Sequence, residues 1–513
     1  MMKKTILALL VSLACVVYSG EKKALVYMMD GLRADIAELV NAPVWKSLKE
    51  NSWAENYNAA WSIQAANELY LPTSSASNHT CIAVGRYVEE HKVQGNKLFS
   101  QYDEKAAPTF METLYKRKNV TSLFAFSWAS DRILIPQIPT IVLAREDAKN
   151  NLDLLDILQN DKVPSAFLVF DDAPDHGGHG TGFYPYGADY IKLTGEAFTR
   201  FGKLLEAIKK RPQFKNEDWL IILCSDHGGY GKSHGMRGGQ ASTVPLLFCA
   251  KDIPAGYLKG SPNNIMIAST VLRHFGLEDD AKKLPGDAPI VVRQPAEKPS
   301  LERGLLYALA VKDDKIVNAA GDAKFTVNGT LPISGDSFEL NDGSGFITLD
   351  ALKGFDAKSF CFAMTIELPT EEVKADPPIF SNKNWQDGTS DGFVLFASKK
   401  AFKANFARRN QKPNYLAPNE KRLDLYDFDF AAGKKMLLAC SVGDNGLITI
   451  LQKHPDGHTY WVSVSAEGIK CNSALDWNIG QDGTGNYKAK PLGKISDFRF
   501  WNRALSLDEL RSL

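Results

Sequence analysis

Hydrophobic positions in the first half of the chain follow two patterns that alternate. Short continuous apolar runs are typical of strands covered on both faces, whereas apolar positions at helical spacing indicate amphipathic helices. The longest helical pattern covers 190–211. The strand-like runs are 24–29, 121–126, 166–170, 220–224 and 244–249. Strands that alternate with helices predict an α/β domain with a mostly parallel sheet and helices on both faces.

The hydrophobic pattern changes after residue 300. Short alternating runs are separated there by Gly, Asn and Asp, which is typical of antiparallel strands and predicts an all-β jelly-roll sandwich. A segment rich in Pro, Lys and Asp precedes this region and indicates a linker. The predicted organisation is a signal peptide over 1–20, an α/β domain over 21–280, a linker over 281–300 and the sandwich over 301–513.

The N-terminus has the pattern of an export signal. A basic start, 1–4, is followed by an apolar run, 5–17, that is too short to span a bilayer. We therefore expect an exported protein, periplasmic or extracellular, with no transmembrane span in the mature chain. Cys15 leaves a lipoprotein open as an alternative, although residues 12–15 match the lipobox poorly.

The overall charge of the chain argues against one class of partner. The 513 residues include 60 basic and 60 acidic side chains, and no basic tract stands out. The sequence therefore gives no reason to expect a nucleic-acid-binding surface. Its 44% hydrophobic residues are ordinary for globular domains.

Acidic and histidine side chains follow two of the strand-like runs, 166–170 and 220–224. Glycines lie among these side chains and predict turns that let them converge. Carboxylate and neutral imidazole groups both suit zinc, so the two segments predict a metal site. The alternative is a pair of surface turns. The residues concerned are Asp175, His176, His179, Asp226, His227 and His234.

A third segment, 71–96, has the order of a nucleophile motif. It contains Ser75, Asn78-His79, Gly85-Arg86-Tyr87, His91 and Asn96. With Asp30-Gly31 upstream, this order resembles the alkaline phosphatase superfamily, in particular its type I phosphodiesterase/nucleotide pyrophosphatase branch. Ser75 and Asn96 are 21 positions apart, which is that family's own interval. The resemblance covers about residues 23–275 and implies an alkaline phosphatase-like fold.

The resemblance implies two divalent metal ions, usually zinc, and a residue set for each. One ion would take Asp30, Ser75, Asp226 and His227, and the other would take Asp175, His179 and His234. Asn96 would donate its amide to a substrate oxygen, and the backbone N–H of Ala76 would be a further donor. We expect His79 to be a packing residue or to contact a metal-binding side chain without binding the metal itself, and His176 to be exposed.

The resemblance also implies a two-step hydrolysis of phosphoric esters. Ser75 would displace the leaving alcohol and become phosphorylated, and water would then cleave the phosphoserine. A bound dication lowers the pKa of a serine hydroxyl, and the start of a helix at Ser75 favours negative charge there. We expect a phosphodiesterase, because the Lys-x-Arg pair of some monoesterases is missing around Arg132.

Several alternatives stay open at this point. The chain resembles enzymes that include phosphomonoesterases, phosphonate hydrolases and phosphoethanolamine-type transferases. A different class would be a glycan-binding surface protein with an inactive α/β domain. Sulfatase activity is disfavoured, because neither Ser75 nor Cys81 lies in the Cys/Ser-x-Pro-x-Arg context. A shift of the motif register would move the nucleophile role to Thr73 or Ser74.

The C-terminal region resembles concanavalin A-like, laminin-G-type modules. The similarity lies in 378–383, 391–395 and the closing segment 495–506. It implies glycan binding, with calcium as a candidate ion, and a phosphodiester on a glycan or envelope component would suit such an enzyme. A purely structural role is the alternative. Trp385, Trp461 and Trp477 are candidate sugar platforms, although tryptophan is more often buried.

Overall fold

The computed structural model describes residues 20–66, 73–235, 239–293, 300–340, 345–409, 421–466, 468–489 and 493–513. The predicted signal peptide, apart from residue 20, and Cys15 lie outside the described residues, as do 294–299 of the predicted linker. No helix in these ranges combines the length and the hydropathy that crossing a bilayer requires.

A mixed sheet forms the centre of the N-terminal half. Within the described residues its strands are β1 Glu21–Met29, β2 Asn58–Ala66, β3 Ser122–Phe126, β4 Thr140–Ala144, β5 Ala166–Asp171, β6 Glu217–Cys224, β7 Thr243–Ala250, β8 Gly256–Leu258 and β9 Val292–Arg293. Their order across the sheet is β4-β3-β5-β1-β6-β7-β2-β8-β9. The first five are parallel, and β7 runs against both of its neighbours. The predicted α/β class with a mostly parallel sheet is confirmed.

The central strand β1 is buried on both faces, which explains its continuous apolar sequence. Successive side chains of a strand point to opposite faces, so one run supplies two cores. Leu25, Tyr27 and Met29 lie in one core, and Ala24, Val26 and Met28 lie in the other. Helices therefore cover both faces, as the sequence predicts.

The helices of the N-terminal half pack in two groups, one on each face of its sheet, and one further helix follows the sandwich. Within the described residues they are α1 Ala34–Val40, α2 Pro43–Lys49, α3 Ser75–Val84, α4 Val88–His91, α5 Phe110–Lys118, α6 Asp147–Leu158, α7 Ala173–Thr181, α8 Ala188–Lys210, α9 Met266–His274, α10 Glu278–Ala281 and α11 Leu507–Arg511. The long helix α8 contacts α1, α2, α6 and α7, whereas α3 and α5 contact α9. Short 3₁₀ turns cover Asn96–Gln101, Ala129–Leu134, Phe214–Asn216, Gly239–Ala241 and Asp350–Leu352.

Two antiparallel sheets form the C-terminal half, so the predicted all-β sandwich is confirmed. The described strands are β10 Leu305–Lys312, β11 Lys315–Asn318, β12 Thr326–Gly329, β13 Ile333–Ser334, β14 Ser337–Leu340, β15 Gly345–Thr348, β16 Phe360–Glu367, β17 Pro378–Ser381, β18 Phe393–Ser398, β19 Ala401–Arg408, β20 Arg422–Asp429, β21 Met436–Val442, β22 Leu447–Lys453, β23 Thr459–Ser465, β24 Ile469–Lys470, β25 Asn478–Ile479 and β26 Gly493–Trp501. One sheet has the order β11-β10-β26-β16-β21-β22-β23, and the other β12-β15-β25-β17-β18-β19-β20.

The sandwich packs closely against the α/β sheet along β22 and β23. Gln64 in β2 donates from Nε2 to Thr449 Oγ1 at 2.8 Å and to Ser463 Oγ at 3.2 Å. Thr243 Oγ1 accepts from the Ser463 N–H and donates to the Ser463 carbonyl. Trp461 is 3% exposed and donates from Nε1 to the Ile63 carbonyl at 3.0 Å. The two halves therefore share buried apolar and polar contacts.

Two of the candidate sugar platforms have a structural position instead. Trp461 lies in the contact with the α/β sheet, and Trp477 is 2% exposed among aromatic rings of the sandwich interior. A buried indole cannot stack on a sugar, so these two suggestions are corrected. Trp385 is half-buried and packs against Phe396.

The buried contact at Trp461 leads to a stability prediction. We expect Trp461→Ala to lower the free energy of unfolding by about 3–5 kcal/mol, because it removes a buried ring and leaves a cavity. Urea unfolding followed by circular dichroism measures the change. Leu152→Ala, at a side chain that is 63% exposed, is the control and should cost less than about 0.5 kcal/mol. Equal effects of both substitutions would contradict a tight contact.

Candidate active site

Three neighbouring parallel strands deliver the acidic side chains to one edge of the sheet. Asp30 follows β1 directly, Asp175 lies just after β5, and Asp226 follows β6. Side chains that follow adjacent parallel strands meet at the carboxyl edge of the sheet. The strand order β5-β1-β6 therefore explains why residues almost two hundred positions apart converge.

The glycines around Asp175 have a different role from the predicted turn. Residues 173–181 form helix α7, which places Asp175 and His179 one turn apart on the same face, with 3.3 Å between Oδ2 and Nε2. A Cβ on Gly178 would lie 2.3 Å from the Phe183 ring. The glycine is needed for close packing rather than for a bend, so the expectation of a turn was wrong here.

The first group of donors surrounds His227. Its Nε2 lies 3.2 Å from Ser75 Oγ, 3.2 Å from Asp226 Oδ2 and 3.5 Å from Asp30 Oδ1. A tetrahedron of ligands at typical zinc bond lengths has edges of about 3.3 Å. Asp30 Oδ1 is buried and has no hydrogen-bond partner among the described residues. A buried carboxylate oxygen of this kind needs a proton or a cation beside it, and the spacing of the four donors fits a metal ion.

The second group of donors centres on Asp175. Its Oδ2 lies 3.3 Å from His179 Nε2, and its Oδ1 lies 3.9 Å from His234 Nε2. Asp175 Oδ1 is also buried without a hydrogen-bond partner in the described part of the chain. The His227 and His234 rings stack at 3.8 Å and so join the two groups. His179 is the outermost member, with its side chain 44% exposed.

Backbone carbonyls fix the tautomer of all three histidines. Nδ1 of His227 lies 2.8 Å from the Gly228 oxygen, and the other two rings contact carbonyls at 2.8 and 3.0 Å. A carbonyl oxygen only accepts, so each Nδ1 must carry the hydrogen. Each Nε2 then faces the other donors, which is how metal-binding histidines are commonly oriented. The other two contacts are His179 to Lys232 and His234 to Thr73.

The electrostatics of the site reflect closely spaced buried carboxylates. Burial and the adjacent Asp226 and Asp175 raise the pKa of Asp30 well above its usual value. Burial would also raise the pKa of Asp226, but His227 and His79 outweigh it and hold that pKa below its usual range. Burial, followed by the neighbouring His227, lowers the pKa of His234 to about 4. The His234 imidazole is therefore neutral at pH 7, as a metal ligand must be.

Ser75 is the first residue of α3, and its position distinguishes it from its neighbours. Its hydroxyl contacts His227, whereas Ser74 Oγ contacts Ser77 Oγ at 3.0 Å and Thr73 offers its carbonyl to His234. Helix N-termini stabilise negative charge, so the fold places the Ser75 oxygen where an alkoxide or a phosphate oxygen is favoured. Ser75 is 6% exposed.

Asn96 lies close to the start of α3 and changes one sequence-based expectation. Its Oδ1 accepts a hydrogen bond from the Ala76 N–H at 3.0 Å. The Ala76 amide is therefore used within the protein, and the expectation that it would donate to a substrate was wrong in this state. Asn96 is exposed, and its Nδ2 group has no hydrogen-bond partner among the described residues.

The sequence did not identify the residues that brace the Asp30 turn. Arg33 is buried in an ion pair with Asp35 and donates from Nη1 to the Phe183 carbonyl at 2.6 Å. The Tyr190 hydroxyl donates to the Gly31 carbonyl at 2.7 Å and accepts from the Arg33 N–H. These contacts tie the turn after β1 to the segment after α7. Only the position of Arg33 beside Asp30-Gly31 hinted at this role.

Comparisons with known proteins give limited matches. No family model matches the chain. No curated protein matches it either. Among solved structures, an inactive variant of murine ectonucleotide pyrophosphatase/phosphodiesterase 5 in complex with AMP matches with 14% identity and a TM-score of 0.39, over 50% of this chain and 96% of that one.

The all-β part also has structural counterparts. The botulinum neurotoxin type G receptor binding domain matches with 14% identity and a TM-score of 0.31, over 41% of this chain and 50% of that one. The chain thus spans about half the length of the neurotoxin structures that it matches. Similarity at this level assigns the chain to no family.

The positions of two histidines on α7 give a prediction about metal stoichiometry. We expect His179→Ala to lower the zinc bound by metal-depleted and reloaded protein from two ions towards one, because it removes a donor of the second group. His176→Ala is the matched control, since His176 is exposed on the same helix. Elemental analysis after gel filtration gives the ratio. Equal loss in both variants would contradict the assignment.

Proposed function

We propose that this protein is a two-metal phosphoric ester hydrolase, specifically a phosphodiesterase that acts through Ser75. The observation that carries the proposal is the hydroxyl of Ser75, 3.2 Å from His227 Nε2 at the start of a buried helix. The hydroxyl thus occupies one corner of a donor set that otherwise consists of two carboxylates and an imidazole. We also propose that the protein is exported.

The residues fit two divalent ions, and zinc suits the mixture of oxygen and nitrogen donors. Asp30, Ser75, Asp226 and His227 would hold one ion, and Asp175, His179 and His234 the other. When bound, such a pair supplies Lewis-acid stabilisation and lowers the pKa of coordinated hydroxyl groups. The chain itself contributes the orientation of the nucleophile.

The chemistry proceeds in two displacements at phosphorus. Ser75 Oγ gives its proton to solvent and forms a bond to phosphorus while the bond to the leaving alkoxide breaks, and that alkoxide takes up a proton from solvent. A water molecule then forms a bond to phosphorus while the bond to Ser75 Oγ breaks, and the proton that this water loses restores the Ser75 hydroxyl. Asn96 Nδ2 donates to a phosphoryl oxygen, and the α3 N-terminus favours its negative charge.

The buried carboxylate of Asp131, next to Arg132, favours a diester substrate over a monoester. The turn Ala129–Leu134 buries the carboxylate of Asp131, which contacts His79, and exposes Arg132. A monoester dianion carries one more negative charge than a diester anion and would need a cation at such a position. An inward carboxylate supplies none, so the singly charged substrate is the better match.

The described part of the sandwich contains no convergent group of acidic or histidine side chains that could hold a metal ion. Convergent groups of three or more His, Cys, Asp or Glu side chains occur, within the described residues, only around Asp175 and Asp30. Calcium binding and glycan binding by residues 301–513 therefore stay predictions. A phosphodiester on a glycan or envelope component remains the proposed substrate class.

The nucleophile assignment is tested with a neighbouring serine as the control. We expect Ser75→Ala to lower kcat/KM for bis-p-nitrophenyl phosphate by more than about a thousandfold, because the covalent route is lost. Ser74→Ala should change it by less than about fivefold, since the Ser74 hydroxyl bonds to Ser77 rather than to His227. Full activity of Ser75→Ala, or loss confined to Ser74→Ala, would contradict the assignment.

The role of Asn96 gives a separate kinetic prediction. We expect Asn96→Ala to lower kcat about 100-fold with a smaller change in KM, because its amide stabilises charge that develops in the transition state. Steady-state kinetics with bis-p-nitrophenyl phosphate separates the two constants. A rise in KM with unchanged kcat would show that Asn96 only assists substrate binding.

A further inference from the structure

His79 has no part in the chemistry above, yet it lies beside the candidate metal ligands. Its side chain is fully buried, with the ring 4.5 Å from the Phe170 ring and 5.9 Å from the Trp128 ring. These two aromatic rings pack against the imidazole and restrict its rotation. The orientation of the ring in turn determines which groups its two nitrogens contact.

Both nitrogens of His79 contact carboxylates. Nδ1 lies 2.8 Å from Asp131 Oδ1, and Nε2 lies 3.1 Å from Asp30 Oδ2 and 3.4 Å from Asp226 Oδ2. Asp131 is completely buried and is remote from the two donor groups in sequence. The result is a hydrogen-bonded chain that runs from Asp131 through His79 to Asp30.

The two oxygens of Asp30 have different neighbours. Oδ1 lies 3.5 Å from His227 Nε2 and has no hydrogen-bond partner, whereas Oδ2 accepts from His79. A carboxylate can rotate about its last bond, and a hydrogen bond to one oxygen stops that rotation. The oxygen that points at His227 is then the one left for a cation.

We propose that His79, held by Asp131, is a positioning residue that directs Asp30 Oδ1 towards the first metal ion. The inference rests on the proposed metal site and adds a determinant of its affinity. Hydrogen-bonded partners behind metal ligands typically change metal affinity or activity by about 10–100-fold when they are mutated. We expect substitution of His79 to change metal affinity by this amount, although His79 does not contact the ion.

Two amide variants separate this role from simple packing. In His79→Gln the side-chain Nε2 can still reach Asp30, whereas in His79→Asn the shorter amide retains the contact with Asp131 only. We expect His79→Asn to weaken zinc binding by about 10–100-fold and His79→Gln by less than about fivefold. The readouts are the zinc dissociation constant, from competition with a chromophoric chelator, and the visible spectrum of the cobalt-substituted protein.

His91→Gln provides the matched control. His91 is equally buried, but its nitrogens contact Cys81 Sγ and the Val93 N–H rather than a carboxylate. We expect this variant to lose stability without losing zinc affinity. Equal zinc affinity of His79→Asn and His79→Gln, or a loss in His91→Gln as large as in His79→Asn, would overturn the proposal.

The outcome also separates this inference from the proposed function. If the unmodified protein binds two zinc ions and His79→Asn binds them equally well, the positioning role is wrong and the enzyme assignment stands. If the unmodified protein binds no zinc, the metal site fails, and the positioning role fails with it.

Discussion

The burial of several carboxylates at one edge of the sheet is the constraint on which the rest of the structure depends. Asp30, Asp175 and Asp226 lie within reach of one another in a largely buried pocket, and two of their oxygens lack hydrogen-bond partners in the described structure. Such an arrangement is costly unless cations neutralise it. Three imidazoles complete the donor sets, so the pocket offers the mixture of oxygen and nitrogen ligands that a divalent ion such as zinc takes.

The remaining architecture holds this pocket in shape. The parallel strands bring Asp30 and Asp226 to one edge, and α7 packs against its neighbours through glycines that leave room for an aromatic ring. The sandwich also holds the segments that lie next to the site in the chain. Gln64 precedes Ser75 and Thr243 follows His234, and both side chains form hydrogen bonds to strands of the sandwich. The C-terminal half is thus a structural support as well as a candidate binding module.

The sequence predicted what depends on local pattern and missed what depends on distant contacts. Continuous apolar runs identified β1 and β6, and the ordered motif indicated which side chains would gather near Ser75. Glycines between Asp175 and His179 suggested a turn, because the Phe183 ring that requires them cannot be seen from spacing. The hydrogen bond from Ala76 to Asn96 and the contact between His79 and Asp131 likewise involve pairs that no periodicity connects.

Anomalous diffraction from crystals grown with zinc tests the central claim most directly. The account predicts two anomalous peaks, one enclosed by Asp30, Ser75, Asp226 and His227 and one bounded by Asp175, His179 and His234. A crystal in which these side chains keep their positions at saturating zinc, with no peak between them, would contradict the account.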